Sequence, residues 1–241
     1  MKLFVFYIFA LSMLSSCSND QHKFNVEYKG ALKNAMKKND LSAYANLKDF
    51  ENEENFYALG ALEGLKGEVM IFNSVPYISR SKEGRNLDNE FIIDNSFNYK
   101  ASFLVYSSVK DWNEFEVPVT VKNQKDLEDF IIEMAIETGI DITEPFPFIV
   151  SGLATVIKWH IVNWDENDSE HTHEKHIKSG VYDGSIEEDV EILGFYSDQH
   201  HGIFTHHSSN MHTHVKTKDN KIAAHLDYFL LGDGVTLKLP K

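Results

Sequence analysis

Cysteine is almost missing from this chain, which has one, Cys17, in 241 residues. No disulfide can close within it, and a metal bound further along must be held by nitrogen and oxygen ligands rather than thiolates. Positive charge is also scarce, with 23 lysines and arginines against 37 aspartates and glutamates and a formal net charge of -14. Without a basic stripe the chain cannot neutralise a phosphate backbone, which argues against nucleic acid as a partner. The same deficit disfavours electrostatic adsorption to anionic lipid. Prolines number five, two of them in the segment EPFPF at 144–148, which is stiff and extended.

The start of the chain decides the compartment. After Lys2, residues 3–14 form an almost unbroken apolar run, too short to cross a bilayer as a permanent helix. Residues 1–16 therefore read as a signal peptide. Leu14-Ser15-Ser16-Cys17 resembles the lipobox of bacterial lipoproteins, in which the cysteine is lipidated and becomes the mature N-terminus. That resemblance implies lipidation of Cys17, a tether over 17–23, and a place in the bacterial cell envelope on a periplasmic or cell-surface face. The membrane would be met through the lipid anchor alone. A buried unpaired thiol at Cys17 fits poorly with the polar stretch that follows it.

Roughly 220 residues remain, enough for one large domain or two lobes with a substantial core. A hydrophobic share of 42% and an aromatic share of 12% are those of a globular chain. Residues 28–38 and 40–47 read as two short helices, the second with Asp40 as N-cap. Short β-branched and aromatic runs at 68–72, 75–79, 91–94, 102–109 and 115–121 read as strands between turn residues. One clear helix spans 124–138: Leu127, Phe130, Ile131, Met134 and Thr138 fall at helical spacing, Asn123 precedes it as N-cap and Gly139 follows it. Its stripe is ordinary core packing. The stiff segment at 144–148 separates an N-terminal lobe, 24–143, from a C-terminal lobe, 144–241. Strands return at 148–162 and 190–196, so the class is α+β with far more strand than helix.

Histidines crowd the second half: apart from His22, every one lies at or after His160. His212 and His214 stand one residue apart, so in an extended segment their imidazoles share a face. A polar turn, KTKDNK at 216–221, leads into AAHLDYFLL at 223–231, the returning strand of a hairpin that carries His225. Three neutral imidazoles on paired strands suit zinc, and three protein ligands plus water is a catalytic arrangement. The competing reading is an ordinary exposed hairpin that happens to hold histidines. A second His-x-His, His171 and His173 with His176 nearby, lies in the polar segment 165–178 and reads as solvated surface. His200, His201, His206 and His207 occupy a loop before the hairpin, where they either gate the site or are ordinary loop histidines.

These residues carry a further resemblance. His212-x-His214, ten residues, then His225-Leu226-Asp227-Tyr228 is similar to the metal-binding hairpin of the bacterial α-acetolactate decarboxylase family. Leu59-Gly60-Ala61-Leu62-Glu63-Gly64-Leu65-Lys66-Gly67-Glu68-Val69-Met70 looks like a second motif of that family, whose glutamate, here Glu68, reaches the same metal from the other lobe. The short helices, the helix at 124–138, Ser151-Gly152 and Gly194-Phe195 fall in family order, so the chain resembles a divergent, lipoprotein-type member. The resemblance implies a two-lobed, β-rich fold with mixed or antiparallel sheets, few helices, and zinc between the lobes.

It also implies an activity, conversion of 2-acetolactate or a similar small hydroxy-β-keto acid to acetoin and carbon dioxide. Loss of carbon dioxide leaves an electron pair that must be delocalised onto the ketone oxygen, a task for a Lewis acid. Glu68 is then metal ligand, proton relay or both; read without the resemblance, it opens an apolar strand and is an exposed strand end. The family carries an arginine where this chain has His160, a shorter group that cannot fork onto a carboxylate. The family's acidic C-terminal tail has no counterpart after Leu239-Pro240-Lys241, and its Gly-Thr-Phe threonine is Ala61. The expected site is therefore His212, His214, His225 and Glu68 for zinc, with Glu68 and His160 in catalysis. A non-catalytic zinc-binding surface lipoprotein and a zinc hydrolase remain as alternatives, and a β-rich surface allows a homodimer.

Overall fold

The computed structural model describes residues 24–82, 90–206 and 209–241. The expected signal peptide, the tether with Cys17, His22 and His207 lie outside the described residues. Two antiparallel sheets with few helices make up the fold, in agreement with the β-rich α+β expectation. All pairings between named strands are antiparallel, so the mixed option falls away.

The first sheet is built from β1 (Glu27–Lys29), β2 (Ala45–Asn46), β3 (Phe56–Leu62), β4 (Glu68–Phe72), β5 (Val75–Ser81), β6 (Phe91–Asp94) and β7 (Lys100–Ser108), in the order β1-β7-β3-β4-β5-β6 with β2 also on β7. Strand β3 is buried at every position. A strand covered on both faces shows no polar alternation, which is why FYALGAL gives little period-2 signal. Gly67 turns the chain from β3 into β4 at φ +153, and a Cβ there would lie 2.2 Å from the Ser79 carbonyl oxygen. Only glycine lets β5 approach so closely beside the start of β4, where Glu68 sits.

Helix formation before β3 is less than the spacing predicts. The helix α1 covers only Leu32–Lys38, after Gly30 at φ 71, and ends at Asn39 in the left-handed region. Residues 40–47 are not helical: Asp40 accepts hydrogen bonds from the backbone and hydroxyl of Ser42 and from Tyr44, a local turn that competes with a helix. Ala45–Asn46 then pairs with β7, and Leu47–Phe50 is a single 3₁₀ turn.

The second sheet contains β8 (Trp112–Glu116), β9 (Phe146–Ile161), β10 (Val181–Tyr196), β11 (Met211–Thr217), β12 (Ala223–Leu231) and β13 (Thr236–Pro240). Since β10 pairs with both β9 and β11, and β12 with both β11 and β9, these four strands close a ring. The expected strand at 115–121 is displaced to β8, because Pro118 and its turn to Val121 stop pairing after Glu116. The helix α2 (Gln124–Glu137) matches its sequence reading, with the Asn123 side chain accepting from Lys125 and Asp126 in a capping box. Its Leu127, Ile131 and Ala135 are fully buried in the core of the second sheet. The polar segment 165–178 departs from the surface-loop reading, since His173–Lys178 forms a short helix, α3, capped by Thr172. No described helix is long and apolar enough to cross a membrane.

The sheets meet along β4, β5 and β12. The Ser79 hydroxyl donates to the carbonyl of Ala223, and the buried Lys216 ammonium lies 5.4 and 5.3 Å from the rings of Phe72 and Tyr77 while pairing with Glu191 at 2.5 Å. Inside the second sheet the tightest fit is at Gly194, where a Cβ would lie 2.1 Å from the buried Phe148 ring. Gly194→Ala is expected to destabilise the protein by about 1–3 kcal/mol through overpacking, read as a lower melting temperature; an unchanged one would refute this packing account.

Candidate metal centre

Strand register assembles the site. His214 stands directly opposite His225 across β11 and β12, and His225 directly opposite His160 across β12 and β9, so three imidazoles form one row on one face. His212, two residues before His214, shares that face, with ring centroids 5.1 Å from His214 and 5.2 Å from His225. One nitrogen from each of His212, His214 and His225 lies within 4.8 Å of the others, a spacing open to metal binding. The exposed-hairpin alternative does not hold, because β11 is buried along its whole length.

Glu68 enters from the other sheet. It is 4% exposed, not an open strand end. One carboxylate oxygen accepts from the backbone N–H of Val162 at 3.0 Å and lies 3.8 Å from His160 Nε2, while the other lies 3.7 Å from His214 Nε2. Glu68 thus faces the histidine cluster without belonging to the tight three-nitrogen group. His160 is buried, and its Nδ1 lies 2.8 and 2.9 Å from the two oxygens of Asp227. Asp227 also approaches His225 Nδ1 at 3.4 Å, an ion-pair contact and not a well-formed hydrogen bond. The sequence reading gave Asp227 no role. Its signal was the spacing, two residues past His225 on the same strand.

Burial dominates the electrostatics. It raises the Glu68 pKa, with His160 and His225 only partly opposing it. It drives His212 and His214 well below the ordinary histidine value, helped by mutual repulsion among the imidazoles. Burial opposes charge on His225 as well, but the Asp227 and Glu68 carboxylates outweigh it and raise the pKa. For Asp227, burial would raise the pKa, yet the neighbouring His160 and His225 rings lower it overall.

Neither nitrogen of the fully buried His214 has a hydrogen-bond partner, nor has Nδ1 of His212 or His225. Buried polar atoms are ordinarily satisfied. A divalent cation would supply a partner for the buried nitrogens of His212 and His214, and a nitrogen-rich set with one carboxylate nearby suits zinc. The residues present therefore fit the metal that the sequence reading expects.

His212, His225, His160 and Glu68 line a cavity of about 450 Å³, whose walls also include Ala31, Ala35 and Lys37 near or on α1, Phe103 of β7, and Phe204. His173, His176 and His206 also line it: His173 is exposed, as the surface reading expects, and His176 is half-buried, but both face the cavity. Trp164 explains the placement: buried, it stacks on His171 and meets His176 edge-on, each at 4.5 Å, and so pins the segment that carries α3. His171 further bonds His176 at 2.8 Å and Asn39 at 2.6 Å. Burial and the His171 ring push His176 down to about 4. Of the loop pairs, His200 bonds Ser197 and stacks on Phe204, and His201 bonds Asn210.

A histidine kept for a ligand costs stability when the ligand is absent. His214→Leu is expected to abolish zinc binding while leaving the melting temperature of the metal-free protein unchanged or raised, since it removes two unpartnered buried nitrogens. A sharply lower melting temperature would mark His214 as structural. The depressed His212 and His214 values also fix a pH trend. Below about pH 6.5 the unfolded chain takes up protons that these folded imidazoles refuse, so metal-free stability falls as pH drops. Denaturant titrations should show that slope flattened in His214→Leu.

No protein-family model and no curated protein matches the chain. Solved structures do. α-Acetolactate decarboxylase from Bacillus subtilis strain 168 superposes with a TM-score of 0.68 at 15% identity, covering 90% of this chain and 85% of that one. Acetolactate decarboxylase from Bacillus subtilis subspecies spizizenii gives 0.67 at 14% identity, covering 89% and 85%. A Staphylococcus aureus protein of unknown function similar to α-acetolactate decarboxylase gives 0.64 at 15% identity, covering 89% and 84%. Across nearly the whole described chain, the fold is thus that of the acetolactate decarboxylases.

Proposed function

We propose that this protein is a zinc-dependent carboxy-lyase that converts 2-acetolactate, or a similar small hydroxy-β-keto acid, to acetoin and carbon dioxide. The observation that carries the reading is the cluster of buried His212 and His214 and half-buried His225, with its unpartnered nitrogens, faced by Glu68 beside a cavity. The shared fold supports it. Three histidines would hold the metal. Zinc bound there would act as a Lewis acid toward the ketone and hydroxyl oxygens of the substrate.

The remaining work falls to the chain. Glu68, whose pKa is raised by burial, is suited to hold a proton and deliver it to the carbon that loses carbon dioxide. The apolar walls at Ala61, Leu65, Phe103 and Val162 exclude water around that carbon. His160 is tied to Asp227 through Nδ1, so only its Nε2 faces Glu68 and the cavity. Lysines on the cavity wall are Lys33 and Lys37 of α1. The proposal places the protein in the bacterial cell envelope, anchored through Cys17, on the strength of the apolar run at 3–14 and the lipobox-like Leu14-Ser15-Ser16-Cys17.

The test is a metal analysis and an acetoin assay on the chain from Ser18 onward, with a His212→Ala/His214→Ala control. About one zinc per chain, and turnover that chelator and the control abolish, are expected. Glu68→Gln should keep fold and zinc and lose turnover; undiminished acetoin release would remove Glu68 from its proton role. Zinc bound without turnover on any β-keto acid would favour the metal-binding lipoprotein.

A further inference from the structure

Asp227 occupies an irregular place in the sheet. Along β12 and β9, His225 faces His160 and Leu226 faces Trp159, but the next pair is Tyr228 with Lys158, so Asp227 is the extra residue of a β-bulge. A bulge bends the strand and re-aims a side chain, and such departures gather beside functional sites. Here its result is a carboxylate with one oxygen 2.9 Å and the other 2.8 Å from His160 Nδ1, and the first of them 3.4 Å from His225 Nδ1.

We infer that Asp227 is a positioning residue that fixes the tautomers of two histidines at once, so that His225 turns its Nε2 to the metal and His160 turns its Nε2 to Glu68 and the cavity. An ionised carboxylate only accepts hydrogen bonds. His160 Nδ1, at hydrogen-bond distance, must therefore carry the proton, which turns its Nε2 to the cavity side; at His225 Nδ1 the carboxylate acts by its charge at 3.4 Å, which favours the proton on that nitrogen. A carboxylate behind a histidine ligand is a common outer partner of metal sites, because it orients the ring and raises its basicity. The His160 half follows the same logic, with Nε2 lying 3.8 Å from Glu68 Oε1. One bulged residue thereby links a metal ligand, a cavity histidine and, through His160, the carboxyl group from the opposite sheet. It also accounts for a histidine at position 160: a ring with two nitrogens can be held on one side and act on the other, which suits a site that already places a carboxylate behind it.

The His225 half rests on the metal reading above, whereas the His160 half stands on geometry alone, and the test separates them. In the full mature chain, ¹⁵N-edited spectra of the histidine rings should show His160 and His225 protonated at Nδ1 and bare at Nε2. Asp227→Asn should mix the His160 tautomers. It should also weaken zinc binding, measured against a competing chelator, by about 10–100-fold, with the melting temperature little changed. A wild-type His160 protonated at Nε2 overturns the inference, as does Asp227→Asn with wild-type zinc affinity. If the wild type binds no zinc, the metal reading fails and the His160 tautomer alone decides. If the variant does not fold, the wild-type spectra decide.

Discussion

The site depends on one register: His214 against His225 against His160, across three adjacent strands. Because side chains alternate along a strand, a slip of one residue in β12 would send His225 to the opposite face and dissolve the row. The register is held from several directions. β12 is paired on both edges, its start is tied to β5 through Ser79 and Ala223, and Lys216 locks the end of β11 between Phe72, Tyr77 and Glu191. A rigid scaffold of this kind is what a constellation needs if its nitrogens are to meet without rearrangement.

The site concentrates conflicts that occur only singly elsewhere, as at Ser107, Trp112 and Trp159. Elsewhere, local choices agree with the fold, as in the capping box of α2 and the glycines at Gly67 and Gly194. At the centre, imidazoles are buried without partners and a carboxyl group is buried facing them. Such conflicts are expected where a ligand completes the structure. The cavity above has its own support, since the Trp164, His171 and Asn39 contacts fasten the α3 segment to the end of α1, and the backbone N–H of Trp164 donates to the Leu65 carbonyl at 2.9 Å. Walls from both sheets therefore surround one set of histidines.

Much of the fold was legible from local patterns. The 3.6-residue stripe and Asn123 located α2, and the alternation around His212 and His214 located the hairpin. The misses have physical causes. β3 is apolar throughout because both its faces are covered, so it lacks alternation. Residues 40–47 look helical, but the side chain of Asp40 bonds Ser42 and Tyr44 in place of a helix turn. The segment 165–178 is polar because it lies at the surface on one side, while the aromatic residue that orders it, Trp164, precedes it.

By itself the sequence determined that His212 and His214 share a face and that His225 returns beside them, because strand alternation and a short turn are local facts. It also determined the ligand chemistry, since a chain with one cysteine near its start offers imidazoles and carboxylates. Only the tertiary structure decided that His160 continues the row, that Asp227 stands in a bulge behind it, that Glu68 arrives buried from the other sheet, and that His173 and His176 line the same cavity. These placements follow from pairing and packing between segments far apart in the chain, and no local period encodes which strand will lie beside which.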